Sequence, residues 1–150
     1  MTEKLVLNFI RESNKIEGID REPLPKEIEE FYRFIALDKV TIHEMIAFVR
    51  VYQPGAALRL LLGDNVRVGN HYPPEGGPRI ADSLRNLLFL ANDGADPYDV
   101  HREYETLHPF LDCNGRSGRM LWAWQMVKKK RGLDRAFLHQ WYYDSLQVGR

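Results

Sequence analysis

The segment His108-Pro109-Phe110-Leu111-Asp112-Cys113-Asn114-Gly115-Arg116-Ser117-Gly118-Arg119 gathers the side chains that phosphate chemistry needs. His108 is suited to take a proton from an attacking hydroxyl near neutral pH. Asp112 offers a hard oxygen of the kind magnesium takes beside phosphate oxygens. Gly115 lets backbone approach a ligand closely. Arg116 and Arg119, at i and i+3, can set their guanidinium forks on neighbouring sides of one helical turn. The segment follows one predicted helix and opens another. A helix start offers unpaired N–H groups and a partial positive charge, which suit an anion. Each residue also has an ordinary reading. A histidine before proline can simply end a helix, Asp-x-Asn-Gly can be a turn, and Arg-x-x-Arg can be a solvated face.

The positioning elements read as helices. Residues around 4–17 form one, with Leu5, Phe9 and Ile16 near one face and Gly18 as its stop. Pro23 and Pro25 open the next, which carries Ile28, Phe31, Tyr32 and Ile35 at helical spacing. Thr41 and Glu44 form a capping-box pattern ahead of Ile42, Met45, Ile46 and Val49, closed by Pro54-Gly55. Leu60–Leu62 and Val66–Val68 flank Gly63-Asp64-Asn65 and predict a small β-hairpin. Pro73, Pro74 and Pro78 then stiffen a loop. Ile80, Leu84, Leu87 and Leu88 mark a fourth helix. Asp96-Pro97 caps a fifth that turns Val100, Tyr104 and Leu107 inward. Met120, Leu121, Trp124 and Val127 mark a sixth, ended by Gly132, and Phe137, Trp141 and Leu146 a last one. The fold class is all-α with one small β-hairpin, in a single compact domain.

Composition narrows the function. The chain has 150 residues, 44% hydrophobic and 28% charged, a globular balance. Lys plus Arg total 21 and Asp plus Glu total 21, so no overall field draws nucleic acid. Cys113 is the single cysteine, which excludes a disulfide framework and a cysteine-based zinc site and favours a reducing setting. The early apolar run Leu5-Val6-Leu7 is too short for a signal core or a membrane span. Met1 is read as the start of a soluble cytoplasmic protein with no membrane and no nucleic-acid partner. His43-Glu44 lacks the second histidine of a zinc-protease pattern, and no P-loop is present. Lys128-Lys129-Lys130-Arg131 reads as cations at a helix C-terminus, and Trp122, Trp124 and Trp141 as core or interface.

The loop resembles the signature of the Fic (Fic/Doc) family, His-Pro-Phe-x-Asp/Glu-Gly-Asn-Gly-Arg-x-x-Arg. It departs at one specified position, where Cys113 replaces a glycine. Pro54-Gly55, Arg59 and Val66-Arg67-Val68-Gly69 followed by Pro73-Pro74 are similar to that family's approach to its flap. Ser13-Asn14-Lys15-Ile16-Glu17-Gly18 is similar to its inhibitory motif, Ser/Thr-x-x-x-Glu-Gly/Asn.

The resemblance implies a Fic-type helical fold. Residues 1–18 would be an inhibitory helix packed on the core, and 19–150 the Fic domain. It implies a protein adenylyltransferase that uses ATP and Mg2+ to place AMP on a Ser, Thr or Tyr hydroxyl of a target protein. His108 would be the general base and Asp112 would hold the metal. Cys113, Asn114 and Gly115 would cradle the phosphates, with Arg116 on the phosphate chain and Arg119 on the γ-phosphate. Val66, Arg67 and Val68 would align the target, and Ser13 and Glu17 would restrain the enzyme. Removal of AMP, transfer of another phosphate-containing group, and a non-catalytic nucleotide- or partner-binding module stay open. So do self-modification and a homo-oligomer.

Overall fold

A computed structural model describes residues 1–133. The last expected helix, with Phe137, Trp141 and Leu146, lies outside them. Six helices follow one another: α1 Glu3–Ile16, α2 Pro25–Ile35, α3 Ile42–Tyr52, α4 Pro78–Asn92, α5 Pro97–Leu107 and α6 Asn114–Lys128. The fold is all-α. Among the described residues, no helix is long and apolar enough to cross a membrane.

Helix ends follow local chemistry. Thr2 and Thr41 side chains accept the Leu5 and Glu44 amides, and Asp96 accepts those of Tyr98 and Asp99. Glu44 does not complete its capping box, because its carboxylate pairs with Arg33 at 2.6 Å. At the end of α1, Gly18 has φ 78°. Its N–H reaches Lys15 O at 2.9 Å, and the Ile19 N–H reaches Asn14 O at 3.0 Å. That reciprocal pair is a Schellman close, which needs the left-handed glycine. It leaves Glu17 as the last residue before the chain turns away.

Helix α6 runs through the centre, and nearly every residue from Asn114 to Met126 is buried. A helix buried all round is a core element. It packs against α5, α2, α1 and α3, while α5 also packs on α4. Trp122 and Trp124 are buried, and Trp124 donates to Leu37 O at 2.9 Å.

Two helix faces differ from expectation. α1 turns Val6, Phe9, Ile10, Ser13 and Asn14 inward, leaving Leu5 and Ile16 at the margins. The stripe thus ends in polar residues, which hydrophobic periodicity does not register. α2 buries Glu27, Glu30, Phe31 and Phe34 and exposes Tyr32. Glu27 can face inward because its partners are supplied: Arg21 at 3.0 Å, the Leu24 N–H at 2.8 Å and Asn14 at 3.3 Å. Burial pushes its carboxyl up, but these partners hold it below the usual carboxylate range.

The expected hairpin is also redrawn. Leu60–Leu62 and Val66–Val68 do not pair. Among the described residues the only bridges are isolated ones, Leu58 with Phe110 and Val68 with His71. The turn residues are engaged elsewhere. Asp64 accepts the Leu61 N–H at 3.2 Å and Asn65 accepts the Gly76 N–H at 2.9 Å. Val68 and His71 then exchange backbone bonds of 3.0 and 2.8 Å around Gly69.

Candidate active site

Helix α5 stops because His108 takes the left-handed conformation, φ 49° and ψ 64°, and Pro109 follows without an N–H. The His108 ring folds back on its own helix, placing Nδ1 3.0 Å from Glu105 O. A carbonyl can only accept, so Nδ1 carries the hydrogen and Nε2 the lone pair. Arg59, fully buried, fixes the turn from behind. Its guanidinium donates to His108 O at 2.6 Å, Leu107 O at 2.8 Å, Pro74 O at 2.8 Å and Asp64 O at 3.0 Å.

The loop then closes through Asn114. Its Oδ1 accepts the Phe110 N–H at 2.8 Å and its Nδ2 donates to Phe110 O at 2.8 Å. Phe110 is fully buried, so the closure is anchored in the core. Cys113 caps α6 with φ 67° and ψ 21°, left-handed like His108. This is the backbone a glycine, the residue Cys113 replaces in the family signature, would adopt without strain. Burial pushes the Cys113 thiol up to about 12. Its N–H is taken by Asp112 Oδ1 at 2.7 Å. Asp112 is exposed.

The first bonded amide of α6 is that of Ser117, which donates to Cys113 O at 3.0 Å. The amides of Asn114, Gly115 and Arg116 precede it and have no carbonyl within the helix to receive them. They form the anion-attracting end of α6. Because the Asn114 carboxamide is committed to Phe110, its main-chain N–H is what it can offer an anion.

Arg119 is buried one turn further on, where it meets α1. Nε donates to Ser13 Oγ at 2.8 Å, and Nη2 donates to Ser13 O at 2.9 Å and Glu17 Oε1 at 2.7 Å. Gly115 makes room for this pair. A Cβ there would collide with Glu17 Oε1 and lie 2.9 Å from Arg119 Nη1. Glycine at 115 therefore serves the Glu17–Arg119 contact as well as any approach to phosphate.

These groups surround one cleft of about 500 Å³. His108, Asp112, Cys113, Asn114, Gly115 and Arg119 line it, together with Glu17 and the run Val66, Arg67 and Val68. Arg67 is steadied by Gly69 O at 2.6 Å and lies 5.0 Å over the Tyr72 ring. Ser13 reaches the site through Arg119 rather than lining the cleft. Arg116 departs from its expected place. It is buried, its guanidinium sits 5.1 Å over the Tyr52 ring, and it does not line the cleft.

Sequence reasoning overlooked Glu105 and the clamp made by Arg59. Glu105 lines the cleft and is buried. Its position three before His108 and four after His101 puts all three on one helix face, a signal present in the spacing. Arg59 sits in a stretch without periodicity, so nothing local marked its partners. No protein-family model matches the chain.

Proposed function

We propose that this chain is a nucleotidyltransferase that moves AMP from Mg-ATP to a Ser, Thr or Tyr hydroxyl of a target protein and is restrained by Glu17. The observation that carries the reading is the meeting of His108, Asp112, the first residues of α6, Arg119 and the run 66–68 in one cleft. In this reading the target hydroxyl attacks the α-phosphorus and its proton passes to His108 Nε2. The new O–P bond forms as the bond to the α,β-bridging oxygen breaks, and pyrophosphate leaves. Such chemistry depends mainly on positioning and on neutralising phosphate charge. The α6 amides and Arg119 supply both.

Asp112 fits a magnesium ion, since it is an exposed hard oxygen donor at the cleft. Among the described residues no group of three or more His, Cys, Asp or Glu could hold a metal. Magnesium bound mostly through nucleotide oxygens and one carboxylate needs no such group. When bound it would neutralise phosphate charge. Val66–Val68, which lines the same cleft, would guide the segment that bears the hydroxyl.

The test is incubation of wild type and Glu17→Gly with magnesium and ATP labelled separately at the α- and γ-phosphates, with and without lysate. Mass spectrometry then locates the modification on targets or on the chain itself. AMP on a hydroxyl, carrying the α-label, supports the reading. Protein-bound γ-label, or no magnesium–nucleotide binding by calorimetry, defeats it. The latter would leave a partner-binding module.

A further inference from the structure

We propose that Glu105 is a positioning residue for His108, its main-chain carbonyl holding the ring's tautomer and its buried carboxylate favouring the imidazolium that forms on proton transfer. The inference rests on the reading of His108 as the proton acceptor. Helix α5 sets His101 and Glu105 at i and i+4, and His108 follows as its cap with the ring folded back on the helix. Glu105 Oε1 lies 4.0 Å from His101 Nε2, and Oε2 lies 4.0 Å from His108 Nδ1.

Three observations converge. First, the Glu105 side chain is only 6% exposed, yet it lines the cleft. A carboxylate withdrawn from water is costly unless its surroundings favour charge. Second, α6 is shaped to admit it. A Cβ on Gly118 would stand 2.5 Å from Glu105 Oε1 and 2.8 Å from Tyr104 Cδ1. The residue opposite Glu105 must therefore lack a side chain. Third, one residue addresses one nitrogen twice. The Glu105 main-chain oxygen accepts from His108 Nδ1 at 3.0 Å, and its carboxylate stands behind the same atom. The carbonyl selects the tautomer, and the carboxylate adds negative potential on the side opposite the proton-accepting Nε2.

The other charges around His108 pull both ways. Arg59 holds its carbonyl, and Arg119 of α6, Arg67, Glu17 of α1 and Asp112 line the cleft. Tyr104 and Cys113 are neutral at ordinary pH, both held up by burial. α4 turns an apolar face inward. Arg119 is itself paired with Glu17 at 2.7 Å, and Glu105 is the buried carboxylate that stands 4.0 Å from His108 Nδ1. An opposite charge within about 4–6 Å shifts a titration by roughly 1–3 units.

The experiment compares wild type, Glu105→Gln and Glu105→Asp by NMR titration of labelled histidines. It adds the pH profile of transfer in a Glu17→Gly background. Glu105→Gln is expected to lower the His108 titration by about one unit or more. The acid limb of the rate profile, set by deprotonation of His108, moves down with it. kcat falls about three- to tenfold with KM for nucleotide unchanged. Glu105→Asp, which keeps the charge, restores most of the shift. A His108 titration moved by less than about 0.3 unit in Glu105→Gln overturns the proposal. Should Glu105→Gln not fold, the Glu105 carboxyl carbon in wild type decides. It is expected to be ionised at pH 7, and a protonated carboxyl there overturns the proposal. The NMR readout does not depend on transfer. A normal shift without any transfer strikes the transferase reading, and transfer without a shift strikes this inference alone.

Discussion

The Asn114 carboxamide meets both main-chain polar groups of Phe110, accepting its N–H and donating to its C=O at 2.8 Å each. This side chain acts as a strand partner for the loop, and with Phe110 in the core it fixes where α6 begins. The left-handed turn at His108 precedes that clamp and the one at Cys113 lies within the loop it closes.

Asn114→Ala is expected to cost about 2–4 kcal/mol, because it removes two buried bonds and strands two backbone groups. Urea denaturation measures this. Asn114→Asp should also destabilise, since a carboxylate oxygen would face Phe110 O. A loss below about 0.5 kcal/mol in both variants would mean that the loop holds itself without the clamp.

Helix identities and caps were readable because they depend on neighbours in sequence. Thr41, Asp96 and Gly18 act where local rules put them. The Ser13–Glu17 spacing, one turn apart on α1, likewise placed both residues on the side that meets Arg119. What escaped depends on distant partners. Periodicity treats Glu27 as a surface residue, yet Arg21, Leu24 and Asn14 let it face inward and rotate the α2 face. Val66–Val68 alternates like a strand, but Asp64 and Asn65 divert its expected partner. Arg116 reads as a phosphate ligand until Tyr52, far away in sequence, is seen beneath it.

Cys113 should behave as an inert thiol. Held at about 12 by burial, against an ordinary 9.0, it stays protonated at neutral pH. A thiol-reactive disulfide reagent should label it only as fast as the protein unfolds. Its linkage to stability has a definite sign. The unfolded chain loses the proton first, so this contribution is intact below pH 9.0 and declines as pH rises toward about 12. Cys113→Gly should remove this alkaline decline. It also relieves left-handed strain of about 1–2 kcal/mol while losing the buried thiol, so net stability near neutral pH changes little. Rapid labelling of the native protein would contradict the buried assignment.

Arg59 is a structural clamp. Its four acceptors span the segment from Asp64 to Pro74 and the end of α5. Arg59→Met should cost about 3 kcal/mol or more, since each stranded buried carbonyl costs roughly 1–3 kcal/mol. Arg59→Lys should recover only part, because an ammonium cannot reach all of these carbonyls. Thermal melts check the stability. If the clamp also sets His108, residual transfer in Arg59→Lys should fall through kcat more than through nucleotide KM.

His108 should be separable into its two roles. His108→Ala is expected to lower transfer about a hundred- to ten-thousandfold while leaving nucleotide affinity nearly unchanged. Position 108 is left-handed, so His108→Asn is the better control, because asparagine accepts that backbone readily. It too should lose transfer and keep the fold. Full activity in the asparagine variant, measured in the Glu17→Gly background, would remove the imidazole from the mechanism.

The last prediction concerns Glu17 and its contact with Arg119, made across 102 residues of sequence. Arg119 is almost wholly buried and also donates to Ser13 Oγ and Ser13 O. A γ-phosphate reaching for the same fork must displace Glu17 or stop short. Bidentate recognition by a guanidinium depends on a free edge, and Glu17 Oε1 occupies Nη2 at 2.7 Å. A nucleotide held short of Arg119 carries a displaced α-phosphate, and misplacement of about 1 Å can cost a hundredfold in rate. α1 itself is bound into the core by Val6, Phe9 and Ile10. Relief therefore requires movement of one side chain at the helix end, not release of the helix. The Glu17 side chain is 35% exposed and has room to leave. Glu17→Gly is accordingly expected to raise transfer tenfold or more, on the order of the misplacement penalty it removes. Its stability cost should stay below about 2 kcal/mol, since Arg119 keeps its bonds to Ser13. The measurement is initial-rate transfer from α-labelled ATP at matched protein concentration, alongside thermal melts of both proteins. Equal rates with a modifiable target would leave the Glu17–Arg119 pair as a structural tie between α1 and α6.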